Sequence, residues 1–276
     1  MFKSLGPGAL GLDVSFTEAA ELAADNGFSG LQLDTSFLRD RGADRTKEIY
    51  DRFSLKPGSF GLPVDIYADD DDFQKSLFEL KKTAELASDV GCSRASTYIM
   101  SFSDRLSFEE NFSFHRERIS QAAEILADHN ISLGLEFLGP KTIREGHEYE
   151  FIYTIEGMLN LASEVKTDNM GLLLDAWHWY TSGEDIKSLK KLKRDDVIDV
   201  HVNDAPAGIA RDKQQDTTRC LPGETGVIKI DVFMQHLKDI GYQGPVMVEP
   251  FSSELEDMPP GEVVGTVARA LDKIWI

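Results

Sequence analysis

Four short apolar segments in the second half of the chain end in side chains that can bind a metal ion. These side chains belong to Glu136, Asp175, His201 and Glu249. Each segment is short, apolar and bounded by polar or turn residues, which is typical of a buried strand. If the strands are parallel neighbours, the four side chains meet at one rim, where parallel barrels place their active sites. Carboxylates gathered there repel one another unless a cation neutralises them, so the sequence predicts a divalent metal site.

Three carboxylates and one imidazole form a hard, oxygen-rich ligand set. Such a set favours Mn²⁺, Mg²⁺ or Co²⁺ in roughly octahedral geometry, with positions left for two substrate oxygens. Zn²⁺ is an alternative, because carboxylate and imidazole also suit it. Taken singly, each residue is a weak signal. The prediction rests on their occurrence at the ends of successive strands.

Aromatic and basic residues follow two of these segments. Asp175 leads into Trp177 and His178, which could stack on the apolar face of a sugar and donate a hydrogen bond to it. Arg219 lies in a long polar loop after His201, where a fixed cation can stabilise a developing enediolate. The alternatives are an indole that packs against helices, a structural histidine and a surface arginine. For a loop arginine away from the core we expect a stability effect of only about 0.5 kcal/mol.

The elements that must position these residues follow from the hydrophobic pattern. Short apolar runs alternate with longer amphipathic runs, and no Pro-, Gly- or Ser-rich linker divides them, which favours βαβ units in one domain. We therefore predict an α/β fold, a (β/α)8 TIM barrel in which residues 1–276 form a single domain. The predicted strands are 2–5, 30–34, 59–64, 95–100, 131–136, 170–175, 197–201 and 245–249. The predicted helices are 16–26, 43–53, 71–90, 108–129, 152–165, 185–192, 231–240 and 262–273.

Composition narrows the classes of partner. The chain has 276 residues, 41% of them hydrophobic, and a formal net charge of −19, which opposes binding to nucleic acid or to anionic membranes. Its two cysteines, Cys92 and Cys220, are far apart and predict no disulfide framework. Neither a signal peptide nor a membrane-spanning run is evident, so we expect a cytoplasmic protein. A neutral sugar or cyclitol remains compatible as the substrate.

Several segments resemble one known family. LEFLGP, GLLLDAWHWYTSGED, HVND, RCLPGETGVIKID and VMVEPF resemble the xylose-isomerase-like TIM-barrel superfamily. Within it they are similar to the sugar isomerase/epimerase group of inosose isomerases, inosose dehydratases and ketose 3-epimerases, and most similar to the inosose (2-keto-myo-inositol) isomerases. The similarity covers residues 130–255 well and the first 120 residues only in general layout.

The resemblance implies roles for the residues named above. Glu136 and Glu249 would move protons as an acid–base pair, while His178 and Arg219 would contact the substrate. The metal ligands would be the four strand-end residues: Glu136, Asp175, His201 and Glu249. Two departures stand out. The stretch Gly139-Pro-Lys-Thr142 lacks the second glutamate that the epimerases carry there, so that substrate contact does not transfer, and the Pro-Gly-Glu-Thr-Gly226 segment is one residue longer than in many relatives.

The implied activity is that of a metal-dependent isomerase or epimerase acting on a keto sugar or keto-cyclitol. A base removes the proton next to the carbonyl and forms a metal-bound cis-enediolate, which is then protonated on the other face or at the neighbouring carbon. One alternative is a lyase of the inosose dehydratase type, which would expel a β-leaving group. Another is a non-catalytic sugar-binding barrel. A phosphodiester hydrolase is disfavoured by the charge of −19 and by only six histidines. A homo-oligomer is left open.

Overall fold

The computed structural model describes residues 1–276 apart from the side chain of residue 253. Its main feature is a nine-stranded sheet made of β1 Phe2–Leu5, β2 Gly30–Leu31, β3 Lys56–Pro57, β4 Phe60–Gly61, β5 Arg94–Ile99, β7 Ser132–Phe137, β9 Met170–Asp175, β10 Val197–Val202 and β11 Pro245–Val248. All neighbouring strands are parallel, and their order is β3-β2-β1-β11-β10-β9-β7-β5-β4. A separate antiparallel pair consists of β6 Phe102–Ser103 and β8 Tyr149–Glu150.

The two edges of the large sheet meet within one stretch of chain. Only Gly58 and Ser59 separate β3 from β4, and β3 pairs with β2 while β4 pairs with β5. Backbone hydrogen bonds continue across the gap, since Gly58 N donates to Leu31 O and Leu33 N donates to Ser59 O. β3 and β4 are therefore two halves of one barrel strand. The sheet closes on itself as a TIM barrel, as the sequence predicts.

Helices follow the strands and cover the outside of the sheet. They are α1 Phe16–Asp25, α2 Thr35–Phe53, α3 Asp70–Val90, α4 Phe108–Ala127, α5 Lys141–Arg144, α6 Ile155–Glu164, α7 Ala176–Thr181, α8 Ile186–Leu189, α9 Ile230–Asp239, α10 Ser253–Glu256 and α11 Pro260–Ile274. Local signals start several of them: Ser15 accepts a hydrogen bond from Glu18 N, and Ser107 and Glu110 form a capping box. No described helix combines the length and the apolar character that a membrane-crossing segment needs.

Alternation along the strands divides the core between two faces. In β7, Leu133, Leu135 and Phe137 are fully buried and belong to the main hydrophobic cluster. The intervening Glu136 projects to the opposite face, toward the barrel lumen, because successive strand side chains alternate. The outer face therefore supplies the packing that holds the barrel together, while the inner face is free to carry polar groups at its rim.

The predicted elements and the observed ones differ in a few places. The third strand lies at 56–61, slightly before the predicted 59–64, because Pro63 has no N–H to donate to a strand ladder. The second helix begins earlier, at Thr35, and changes direction at Gly42, whose φ of 79° is non-helical. Short helices at 176–181 and 141–144 were not predicted, since their length gives little periodicity to detect. Both cysteines are free, as predicted.

Candidate metal centre

Neighbouring strands bring the four candidate ligands to one rim of the barrel. Glu136, Asp175 and His201 lie at or near the carboxyl ends of β7, β9 and β10, and Glu249 directly follows β11. His201 is the register partner of Asp175, and Glu249 N donates to Val202 O. These four strands are consecutive in the sheet order, which places Glu136 and Glu249 at the two ends of the set.

The ligand atoms form a compact cluster. One donor atom from each of the four residues lies within 4.8 Å of all the others. His201 Nδ1 is 3.5 Å from Glu249 Oε2 and 3.9 Å from both Glu136 Oε1 and Asp175 Oδ2. A single imidazole nitrogen is thus surrounded by three carboxylates, which is the arrangement predicted from the strand ends.

Unpaired polar atoms test whether this cluster suits a cation. Among the described residues, Glu136 Oε1 and both ring nitrogens of His201 are buried and have no hydrogen-bond partner. Leaving a buried polar group unpaired costs free energy, and the great majority of such groups in proteins have partners. A divalent cation coordinated by Glu136 Oε1 and a His201 nitrogen would satisfy these atoms and offset the carboxylate charge. The donor set therefore fits a metal ion.

The electrostatics of the cluster are dominated by the crowding of negative charge. Burial alone would lower the pKa of His201, but Glu249 and Glu136 outweigh it and raise that pKa to about 10. Burial and the neighbouring Glu249 carboxylate raise the pKa of Glu136 well above its usual value. Burial would also raise the pKa of Glu249, yet His201 and Arg219 lower it to about 2. Without a bound cation, this cluster stabilises positive charge on His201 and resists a negative charge on Glu136.

Arg219 lies inside the site. Its guanidinium Nη1 donates to Asp175 Oδ2 at 3.0 Å and to Glu249 Oε2 at 2.9 Å, and Nη2 donates to Asp216 Oδ1 at 3.0 Å. The residue is 3% exposed. The expectation that Arg219 lies in a loop away from the core is therefore wrong. The polar loop sequence gave no sign that the chain folds back into the barrel mouth.

Two aromatic rings pack against the Arg219 guanidinium in cation–π contacts. Its central carbon lies 5.3 Å from the ring of Trp177 and 4.6 Å from the ring of Phe251. Phe251 has a φ of 38°, a backbone conformation that is strained for a bulky residue and tends to occur at functional sites. Trp177 is fully buried, so in this arrangement its indole supports Arg219 and does not face the mouth. A direct contact between Trp177 and a substrate stays a prediction.

His178 is buried beside the cluster in its neutral form. Burial lowers its pKa to about 3. Its Nδ1 accepts a hydrogen bond from Gly139 N at 3.1 Å, which leaves the proton on Nε2, 3.7 Å from Glu136 Oε1. A side chain at Gly139 would collide with His178, since a Cβ there would lie 2.2 Å from His178 O. The Gly139 departure from the epimerase pattern thus accompanies close packing against the backbone of the segment that carries His178.

Three polar residues that the sequence did not single out complete the site. Asn203 Nδ2 donates to Asp175 Oδ1 at 3.0 Å, and Asp216 pairs with Arg219. Asp204 is fully buried and accepts hydrogen bonds at 2.7–3.0 Å from four backbone N–H groups, those of Ala205, Thr225, Gly226 and Ile228. Asp204 also exchanges two backbone hydrogen bonds with Cys220, next to Arg219. The adjacency of Asn203 and Asp204 to His201 was the available signal.

The family to which the chain is similar is now clear from sequence comparison. The sequence model of the family described as the xylose isomerase-like TIM barrel matches residues 20–274. An inosose isomerase from Bacillus velezensis is 23% identical over 263 residues, which cover 92% of this chain and 90% of that protein. A 3-dehydroshikimate dehydratase from Pseudomonas putida is 25% identical over 154 residues, which cover 55% of this chain and 24% of that protein.

Solved structures show the same architecture. A xylose isomerase domain protein from Alicyclobacillus acidocaldarius has a TM-score of 0.89 and 26% identity, covering 99% of this chain and 98% of that one. The IolI protein with a bound zinc atom has a TM-score of 0.83 and 21% identity, with coverage of 99% and 98%. D-psicose 3-epimerase from Clostridium cellulolyticum H10 has a TM-score of 0.77 and 14% identity, with the same coverage. At such low identities the last two likenesses concern the fold alone.

Proposed function

Because this chain belongs to the xylose isomerase-like TIM-barrel family, we propose that it is a divalent-metal-dependent isomerase or epimerase of a keto sugar or keto-cyclitol. The observation that carries the proposal is the placement of Glu136 and Glu249 at opposite ends of one four-residue ligand cluster. A substrate seated over the cluster would meet one carboxylate on each side. Similarity to an inosose isomerase supports a cyclitol ketone among the candidate substrates.

The chemistry assigned to the protein residues is proton transfer. One glutamate accepts the proton from the carbon next to the carbonyl, and the C–H electron pair moves to form an enediolate. The other glutamate, as the carboxylic acid, returns a proton either to the opposite face or to the neighbouring carbon. When bound, the metal would polarise the carbonyl and acidify that C–H bond. Glu136, Asp175, His201 and Glu249 would hold it.

The remaining residues of the site bind and orient. Arg219 is a permanent cation 2.9 Å from Glu249 and can approach the oxygen that gains charge. His178 carries its proton on Nε2 and can donate it to a substrate oxygen. Asn203 fixes the Asp175 carboxylate. A preorganised set of donors of this kind is what stabilises a developing oxyanion in a water-poor site.

Solvent-exchange measurements test the proposal. The metal-loaded protein is incubated in D₂O with a panel of ketoses and inososes that includes 2-keto-myo-inositol, and products are followed by NMR. We expect deuterium at the carbon next to the ketone, and loss of exchange in Glu136→Gln and Glu249→Gln. Glu184→Gln is the matched control, because Glu184 is a half-buried glutamate outside the cluster. Complete retention of the original hydrogen in the product would contradict proton transfer.

The same panel addresses the alternative reaction. Partial similarity to a 3-dehydroshikimate dehydratase favours a lyase as the second candidate. If the enediolate carries a hydroxyl group on the next carbon, an acid protonates that hydroxyl and it leaves as water, while the enediolate electrons form the new C=C bond. The product is an unsaturated ketone with a characteristic ultraviolet absorbance. Appearance of that absorbance in place of an isomer would assign the lyase. Loading the protein separately with Mn²⁺, Mg²⁺, Co²⁺ and Zn²⁺ would identify the metal that supports turnover.

A further inference from the structure

Tyr98 projects into the barrel mouth beside the candidate catalytic centre. It is the register partner of Glu136, so the two side chains lie on the same face of neighbouring strands. Ser96, two residues earlier on β5, contacts the buried Asp199 at 3.4 Å. Asp199 precedes His201 by two residues on β10, which places Ser96 on the lumen face and Tyr98 with it.

Exposure is unevenly distributed around the mouth. Asp175, His178 and Arg219 are each at most 3% exposed, so protein fills the mouth on the β9 side of Glu136. Tyr98 is 52% exposed although its side chain faces the lumen. The open space next to Glu136 therefore lies on the β5 side. A substrate over the metal cluster would extend in that direction.

The Tyr98 hydroxyl is available for a ligand. It forms no hydrogen bond with any residue that the structure describes. The neighbouring phenol of Tyr67, which is 42% exposed, is different: its hydroxyl accepts from Met100 N at 2.8 Å and lies 3.2 Å from His115 Nε2. Tyr67 thus completes an internal network, while Tyr98 presents an aromatic face and an unused hydroxyl to the mouth.

We propose that Tyr98 is a substrate-positioning residue that selects a polyhydroxylated ring, because it lines the open side of the mouth next to Glu136. Its hydroxyl hydrogen-bonds a substrate hydroxyl remote from the reacting carbonyl, and its ring covers the apolar face of the sugar or cyclitol. This role rests on the proposed function, since it presumes a polyol ketone over the cluster. It adds a specificity contact on the side opposite to Arg219.

Binding and kinetics of Tyr98→Phe test this role. Myo-inositol serves as a non-reacting probe in calorimetry, and 2-keto-myo-inositol and its monodeoxy analogues serve in the exchange assay. We expect Tyr98→Phe to weaken myo-inositol binding and raise KM by roughly 3- to 10-fold, the usual value of one neutral hydrogen bond. The kcat, the metal content and Tm should stay near those of the unmodified protein.

Two comparisons make the result decisive. One monodeoxy analogue should lose affinity for the unmodified protein but lose nothing further for Tyr98→Phe, as in a double-mutant cycle. Tyr67→Phe is the matched control and should lower Tm without changing KM. Unchanged binding and KM in Tyr98→Phe, or additive losses for every analogue, would overturn the role. If the unmodified protein neither binds nor exchanges any ketone of the panel, the proposed function itself fails, and that result precedes any test of the variants.

Discussion

The two sides of the barrel mouth treat the same kind of carboxylate in opposite ways. On the closed side, formed by β9 to β11 and the loop 203–228, Glu249 is paired with Arg219 at 2.9 Å and lies 3.5 Å from His201. On the open side, formed by β5 and β7, Glu136 has a buried oxygen without a partner and faces the exposed Tyr98. In the metal-free cluster these two environments shift the pKa values of Glu136 and Glu249 in opposite directions.

The two sides therefore make different contributions to the site. The closed side is preorganised, whereas the open side gives a ligand access to the metal cluster. The closed side holds its charges in fixed geometry through buried ion pairs, whose groups lose little freedom when a substrate arrives. On the open side, Glu136 Oε1 stays without a hydrogen-bond partner until a metal or a substrate supplies one. Residues on the closed side should therefore affect both stability and turnover. Residues on the open side should affect ligand binding with little cost to the fold.

The largest expected effect follows from removing His201, a closed-side ligand whose Nδ1 lies near the carboxylates of both sides. His201→Gln should lower metal affinity by at least about 100-fold, because even residues that only support a ligand commonly contribute 10- to 100-fold. Metal content after dialysis and competition with a chelator measure this loss. The matched control is His115→Gln, since His115 is also a buried histidine but lies in the Tyr67 network. Full metal occupancy in His201→Gln would remove this residue from the ligand set.

The next effect concerns the charge that fixes the closed side. Arg219→Ala should lower kcat by about 10²–10³, the usual effect of losing a donor to a developing oxyanion. It should also destabilise the metal-free protein by roughly 3–5 kcal/mol, because two buried carboxylates lose their partner. A bound divalent cation supplies part of the missing charge, so the destabilisation should be smaller in the metal-loaded protein.

Thermal melts with metal and with chelator measure that difference. Arg118→Ala is the matched control, because Arg118 is also buried, stacks on Phe73 and Phe114, and pairs with Asp70 away from the cluster. Its loss should lower Tm by the same amount with and without metal. An Arg219→Ala variant that melts like the unmodified protein in chelator would show that the closed side does not depend on this ion pair.

The sequence was informative where local pattern determines position. Glu136 and Asp175 sit at the ends of apolar strands, and parallel strands carry such side chains to a common rim, so their meeting could be predicted. The fold class followed from the same alternation. The family resemblance supplied the expectation that Glu136 and Glu249 form a pair, whereas the opposite environments of the two carboxylates needed coordinates.

Loop geometry was the part that the sequence could not supply. The path of residues 203–228 depends on hydrogen bonds to Asp204 from Thr225 and Gly226, which are distant in sequence. No hydrophobic period marks such contacts. The burial of Arg219 is a consequence of that path, and so its structural role was missed.

The smallest of these effects is a change in Tm that should differ between two aspartates, Asp204 on the closed side and Asp104 on the open side. Asp204→Ala would leave four backbone N–H groups without their acceptor, and two of these, those of Ala205 and Ile228, are buried. The expected cost is roughly 3 kcal/mol, because hydrogen bonds to charged groups are worth about 1.5–3 kcal/mol. For a chain of this size that corresponds to a fall in Tm of about 6–12 °C. Turnover should fall as well, since Arg219 would lose the loop geometry that directs it at Glu249.

Asp104→Ala is the counterpart, because Asp104 and its partner His147 lie in the segments that follow β5 and β7 on the open side. Asp104 also accepts a backbone hydrogen bond, from Glu148 N, and pairs with His147, but its side chain is 57% exposed. Water can replace both contacts, so thermal melts should show little change in Tm. Equal losses of Tm in the two variants would mean that the open side is as preorganised as the closed one. Glu136 would then face a mouth whose shape is fixed before the substrate arrives, and Tyr98 would have little freedom to adjust to it.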